Sequence, residues 1–164
     1  MIEEKLITKA LRKMPDHQEI REMAKTYKNS GGCCFIIDDA FEALMGEDLC
    51  SLFCQSVHHL SLSCIIVTQT LFSARSKSMR TLSLNTQYLV VFKFNRDISQ
   101  IMSLGHQVSP HRPSFLIKSY LQATENNFAY LFIDFSSRQR PEIRFRARIF
   151  DDEAPMIVFL QKTD

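Results

Sequence analysis

The residues best equipped for chemistry stand together at positions 33–39, Cys-Cys-Phe-Ile-Ile-Asp-Asp. The short continuous apolar run reads as a strand buried on both faces, and Asp38 and Asp39 close it. In open α/β folds, ligands bind at the carboxyl ends of the strands. A carboxylate there can hold Mg²⁺ through its water shell, and its neighbour can orient or deprotonate an attacking water. The same acids serve equally as caps of a following helix. Gln69 is the second candidate, directly after the apolar run Ser63–Thr68. Its amide both donates and accepts, which suits a sensor of water and phosphate. A plain turn residue is the alternative.

Arginines form the third cluster. From Ile143 to Ile149 the chain alternates, with Ile143, Phe145, Ala147 and Ile149 on one side and Arg144, Arg146 and Arg148 on the other. Side chains two apart on a strand share a face. Together with Arg138 and Arg140 this stripe can contact phosphates without reading sequence. It can equally pair with the acids Asp151, Asp152 and Glu153. Cys50, Cys54 and His58 are spaced to share one helix face. A structural zinc needs four ligands and no second pair is evident, so a buried helix face is the better reading. The five cysteines include no C-x-x-C and are odd in number, which points to a reducing compartment without a disulfide framework.

Alternating elements must position these groups. Asp16 after Pro15 is set to cap a helix through about Lys28, and Asn29-Ser30-Gly31-Gly32 stops it. Glu47 to His59 has helical spacing. Ser63–Thr68, Tyr88–Phe92 and Ala129–Phe135 read as further strands. Residues 70–87 read as a long loop with at most a helical turn. Helices are expected over Ile98–Leu104, ending at Gly105, and over Ser114–Ala123. This order argues for an α/β layer architecture with a mostly parallel sheet flanked by helices. The late, half-basic strand belongs at an edge or in a small antiparallel add-on.

The chain has 164 residues, 45% of them hydrophobic and 23% charged, which fits one domain, residues 1–164, and excludes a disordered tail. No run of ~18 apolar residues offers a membrane span, and the N-terminus lacks the features of a secretory signal. The net charge of +2 is unevenly spread. Residues 31–60 hold five acids and no Lys or Arg, whereas residues 75–118 hold seven bases and one acid. Such a pattern suits a site that holds a cation and faces a polyanion; ordinary surface variation gives the same pattern.

Four segments together carry a family resemblance: FIIDDAFEAL, LFCQSVHHLSLSCIIVTQTLF, RTLSLNTQYLVVFKFNRDISQI and FAYLFIDFSSRQRPEIRFR, with KMPDHQEI ahead of them. Over about residues 15–150 the chain resembles the DNA-packaging ATPases of the FtsK/HerA superfamily, of the adenovirus-like, virophage and Maverick/Polinton kind. The resemblance implies a P-loop NTPase (RecA/ASCE-like) core that uses ATP and Mg²⁺. Asp38 would be the Mg²⁺-associated acid of the Walker B motif, Asp39 the catalytic acid and Gln69 the sensor amide. His58 and His59 match the family's His-His. Arg80, Asn85, Arg96 and Asp97 match positions near subunit contacts or the phosphate end of the sheet; Arg75 or Arg80 suits an arginine finger acting in trans, with a solvated loop arginine as the alternative. The implied partners are double-stranded DNA, a homo-oligomeric ring and capsid components, with no membrane, inside the host cytoplasm or nucleus.

The 164 residues hold no G-x-x-x-x-G-K-[ST], the loop that cradles the phosphates. The resemblance places that loop upstream, and its strand between Ser63–Thr68 and Tyr88–Phe92. The expectation is therefore the C-terminal part of a packaging ATPase, from the Walker B strand onward, without autonomous catalysis. The alternative is a DNA- or subunit-binding module, or an inactive remnant, with the same fold.

Overall fold

The computed structural model describes residues 15–29, 32–38, 60, 62–71, 77–96, 98–153 and 155–161. The chain divides into two compact units, Met1–Ser83 and Leu84–Asp164. The expected helix over Glu47–His59 lies outside the described residues.

In the first unit, helix α1 (His17–Tyr27) starts where the sequence says it should. The Asp16 carboxylate accepts from the backbone N–H of Gln18 and of Glu19, both at 2.8 Å. Glu19 Oε2 accepts from the Asp16 N–H at 2.8 Å, completing a reciprocal capping box. At the other end the Gly32 N–H returns to the Tyr27 carbonyl at 3.0 Å. Gly32 has φ 92°, a left-handed conformation that a Cβ would strain. Two strands follow, β1 (Cys33–Asp38) and β2 (Leu62–Val67), paired in parallel with Cys33 level with Leu62 and Asp38 level with Val67. Helix α2 (Lys77–Asn85) occupies part of the stretch expected to be loop. Ile20 and Ala24 of α1 cluster with Leu62, Met79 and Leu82, and Cys33, Phe35, Ile37 and Ile66 pack against them. The other face of the pair is open among the described residues, with Ile36, Ile65 and Val67 exposed. The expectation of strands buried on both faces is corrected to one buried face.

The second unit is a four-stranded sheet under a helix pair. Strands β3 (Tyr88–Phe92), β4 (Tyr130–Asp134), β5 (Phe145–Ala147) and β6 (Ile157–Phe159) lie in that order, every neighbouring pair antiparallel. The mostly parallel sheet expected from the sequence is therefore corrected: the molecule is mixed α/β, and only β1 and β2 pair in parallel among the described residues. The connection between β3 and β4 supplies the reason. A single crossover helix returns the chain to the end where the first strand began, giving a parallel strand. Here two successive helices, α3 (Ser99–Val108) and α4 (Pro113–Ala123), join β3 to β4. The second helix carries the chain back to where β3 ended. The late strand is antiparallel as expected, but it spans only Phe145–Ala147 and is not at the edge, because β6 lies beyond it.

Leu116, Tyr120 and Ala123 of α4 are buried with Ile101 and Leu104 of α3, and so are Leu131, Ile133, Phe145 and Phe159 of the sheet. The Phe115 and Phe145 rings meet edge-on at 5.5 Å. The Tyr120 hydroxyl accepts from the Phe94 N–H at 2.7 Å and lies 3.4 Å from the Phe92 carbonyl, so α4 holds the chain as it leaves β3. No helix among the described residues is long and apolar enough to cross a membrane.

Gly105 does not end α3. It sits buried inside the helix, where an added Cβ would lie 2.9 Å from the Pro113 carbonyl oxygen. It is a contact glycine that lets the start of α4 approach. Gly105→Ala would gain about 1 kcal/mol of helix propensity, but the clash with backbone costs about 1–3 kcal/mol. A lower urea midpoint than wild type is the expected outcome; a higher midpoint would show that α4 yields freely.

Candidate functional site

Parallel pairing sets the first candidate site. Because β1 and β2 run the same way and end level, Asp38 and the residues after Val67 emerge at one carboxyl-terminal edge. Asp38 is the last residue of β1 and its side chain is exposed. Beyond β2 the chain turns at once. Thr68 Oγ1 accepts from the Thr70 N–H at 3.3 Å and lies 3.2 Å from the Thr70 carbonyl. This local turn leaves Gln69 exposed between the two threonines. Asp39, Arg75, His58, His59, Cys50 and Cys54 lie outside the described residues, as does Asp97. Arg80 is on α2 and exposed, on the side away from Met79 and Leu82.

Among the described residues no three His, Cys, Asp or Glu side chains gather as a metal cage. One exposed carboxylate at a strand end still suits Mg²⁺, which keeps several waters and takes few protein ligands. Cys33 and Cys64 are held away from the thiolate form. Burial pushes the Cys64 thiol up to about 11 and raises that of Cys33, with the nearby Cys34 adding in each case. They stay neutral and serve as small core groups.

The arginine cluster is not a single solvated stripe. Arg146 alone of the three lies within β5, and its Nη2 is 2.6 Å from Asp134 Oδ2. Its guanidinium sits 4.9 Å over the Phe132 ring. Asp134, 5% exposed, also accepts from the Ser136 N–H at 2.9 Å and from the Ser136 hydroxyl at 2.6 Å. Arg146 is therefore already engaged, on the face of the sheet that it shares with Phe132. Arg144 precedes the strand and is half-buried, while Arg148 follows it with φ 56°. Arg138, Arg140 and Arg148 are the exposed members of the cluster. The acidic run does not take Arg146: Glu153 Oε2 accepts from the Tyr130 hydroxyl at 2.5 Å and from the Phe150 N–H at 3.3 Å. Burial and this carboxylate raise the Tyr130 phenol above its usual range.

Sequence reasoning missed the Asp134–Arg146–Ser136 group. A signal existed in the strand-ending Asp134, but it needed the register that sets Phe132 level with Arg146. No family model, curated protein or solved structure matches the chain.

Removing one partner of a buried ion pair strands the other charge, a loss of about 3–5 kcal/mol at full burial. Arg146 keeps 18% side-chain exposure, so Asp134→Ala is expected to lose about 2–3 kcal/mol. Arg148→Ala, at an exposed position, should stay within about 0.5 kcal/mol. Chemical denaturation of both variants checks this; equal midpoints would show that the pair carries no weight.

Proposed function

We propose that the chain is the Walker B portion of a DNA-packaging ATPase of the FtsK/HerA kind, built on a P-loop NTPase core and acting on double-stranded DNA within a homo-oligomeric ring at a capsid. The observation that carries this reading is the level, parallel ending of β1 and β2, which brings Asp38 and Gln69 to one strand-end edge. That edge is where such folds bind their ligands. The strand order adds support. β2 pairs only with β1, and β3 only with β4, among the described residues. Each keeps a free edge, and these are the strands that the resemblance sets beside the P-loop strand.

In this reading Asp38 would hold Mg²⁺, which would supply positive charge against the phosphates of ATP. Asp39 takes a proton from the attacking water, and the Gln69 amide orients that water against the terminal phosphate. A guanidinium from a neighbouring subunit, Arg75 or Arg80, stabilises the transferred charge. The 164 residues carry no phosphate cradle, so hydrolysis needs one from outside them. That same fact favours the second reading, a DNA- or subunit-binding module without turnover.

The test is a fusion that places a strand-loop-helix unit bearing G-x-x-x-x-G-K-T ahead of the chain. Hydrolysis of ATP should appear, and Asp39→Asn should lower it by about 10²–10⁴-fold while ATP affinity holds. Equal rates for the two proteins would remove Asp39 from the reaction, and no turnover at all would favour the binding module.

Duplex binding separates the readings further. Each phosphate contact contributes about −0.9 to the log–log salt slope. Replacing Arg138, Arg140 and Arg148 with Ala should flatten the slope by up to roughly 2.7. An unchanged slope would take DNA away from this cluster.

A further inference from the structure

The sequence Tyr-Leu-Val-Val-Phe of β3 has no charge, no proline and no glycine, and it forms one edge of the four-stranded sheet. Proteins usually protect such an edge with a lysine, a proline or a bulge. The Phe135 N–H donates to the Gln87 carbonyl at 2.8 Å, one step beyond the Tyr88–Asp134 pairing. Hydrogen-bonded positions alternate along an antiparallel ladder. Leu89 and Val91 therefore bond to β4, and Tyr88, Val90 and Phe92 turn their N–H and C=O groups to the free side. One of these groups, the Phe92 carbonyl, lies within reach of the Tyr120 hydroxyl, at 3.4 Å. The same residues are exposed on the outer face, Tyr88 at 54%, Val90 at 45% and Phe92 at 56%.

We infer that the β3 edge pairs with β3 of a second copy of this chain, antiparallel about a two-fold axis through Val90. The edge-facing positions are symmetric about Val90, so one register satisfies all of them. Val90 faces Val90 of the second copy, and Tyr88 faces its Phe92. Each such pairing exchanges both N–H···O bonds, with the Tyr120 hydroxyl giving up the Phe92 carbonyl. On the outer face the pairing sets Tyr88 against Phe92 of the other copy, an aromatic cross-strand pair that stabilises a sheet by roughly 0.2–1 kcal/mol. It extends a row in which Tyr88 already stacks on Phe132 at 5.9 Å and Phe92 meets Tyr130 at 5.9 Å. Lys93 falls opposite Gln87 of the second copy, so no like charges meet. The arrangement is isologous and closes at two subunits, giving a continuous antiparallel sheet across the dimer.

The inference stands on the edge itself and is independent of nucleotide chemistry. It competes with the proposed function for one strand edge, which lets the two be tested apart. Sedimentation velocity of the 164-residue chain from about 1 to 100 µM should show the mass rising from one chain of 19.0 kDa to two. Val90→Lys sets two ammonium groups face to face and should raise the dissociation constant at least about tenfold. Amide exchange followed by NMR supplies a reading that needs no variant. The Val90 N–H should gain protection as concentration rises, while those of Leu89 and Val91 are protected throughout. In the P-loop fusion, nucleotide turnover should come with loss of this dimer. A chain monomeric at 100 µM would overturn the inference, and so would a dimer with an unprotected Val90 amide. An ATP-hydrolysing fusion that still protects Val90 by dimerisation would overturn the competition between the two, leaving each intact.

Discussion

A strand's N–H and C=O groups must find partners or stay in water, and that requirement governs most of what this chain can do. Strand β2 is an edge strand of its own sheet and β3 of its own, as are β1 and β6, and none of these has a second strand neighbour among the described residues. Both β2 and β3 are almost wholly apolar in side chain, so their edges combine unpaired backbone with adhesive surface. An added strand from the same protein meets this demand, and so does a second copy of the chain. The proposed ATPase and the proposed dimer are two solutions to one problem in hydrogen bonding. A chain that finds neither is exposed to open-ended association.

Within the second unit most buried polar groups find partners, while Ser119 Oγ and Arg146 Nε have no hydrogen-bond partner. Asp134 takes Arg146 and Ser136, Tyr120 spans α4 and the chain leaving β3, and Tyr130 is held by Glu153 and the Ile149 N–H. The Asp134–Arg146 and Tyr130 links join segments far apart in sequence, which fixes β5 and the turn after it on β4. The ion pair is better seen as a constraint on register than as a source of stability, since its desolvation offsets much of the attraction. A guanidinium bonded to Asp134 and stacked on Phe132 is not offered to a phosphate, so of the five arginines Arg146 is taken, Arg144 is half-buried, and Arg138, Arg140 and Arg148 are exposed.

The first unit shows how little of a site resides in residue identity. Asp38 and Gln69 are ordinary exposed side chains. What gives them meaning is that β1 and β2 are parallel and stop at the same level. An antiparallel pairing of the same segments would send the two groups to opposite ends of the sheet. The Thr68 turn adds the second element, since it halts the chain immediately beyond the strand and leaves the amide at the edge.

Local chemistry was legible in the sequence wherever neighbours in the chain decide the outcome. The Asp16 cap, the stop at Asn29–Gly32, a helix ending at Ala123 and the positions of four apolar strands follow from side chains within a few residues of one another. Strand direction is different. Two helical segments between Tyr88–Phe92 and Ala129–Phe135 were visible, yet their number, and with it the antiparallel sense of β4, carries weight only once the helices pack on one sheet. Gly105 looked like a helix stop because glycine does that locally; the nearby Pro113 carbonyl, brought in by the fold, gives it another task. Arg146 was legible as a base but not as Asp134's partner, because that depends on a register between strands. The sequence by itself determined the start and stop of α1 and the positions of the apolar strands, since those are short-range contests over backbone hydrogen bonds and rotamers. Only the tertiary structure decided which strands run together, which faces stay open and which charges are already taken, because each depends on groups distant along the chain.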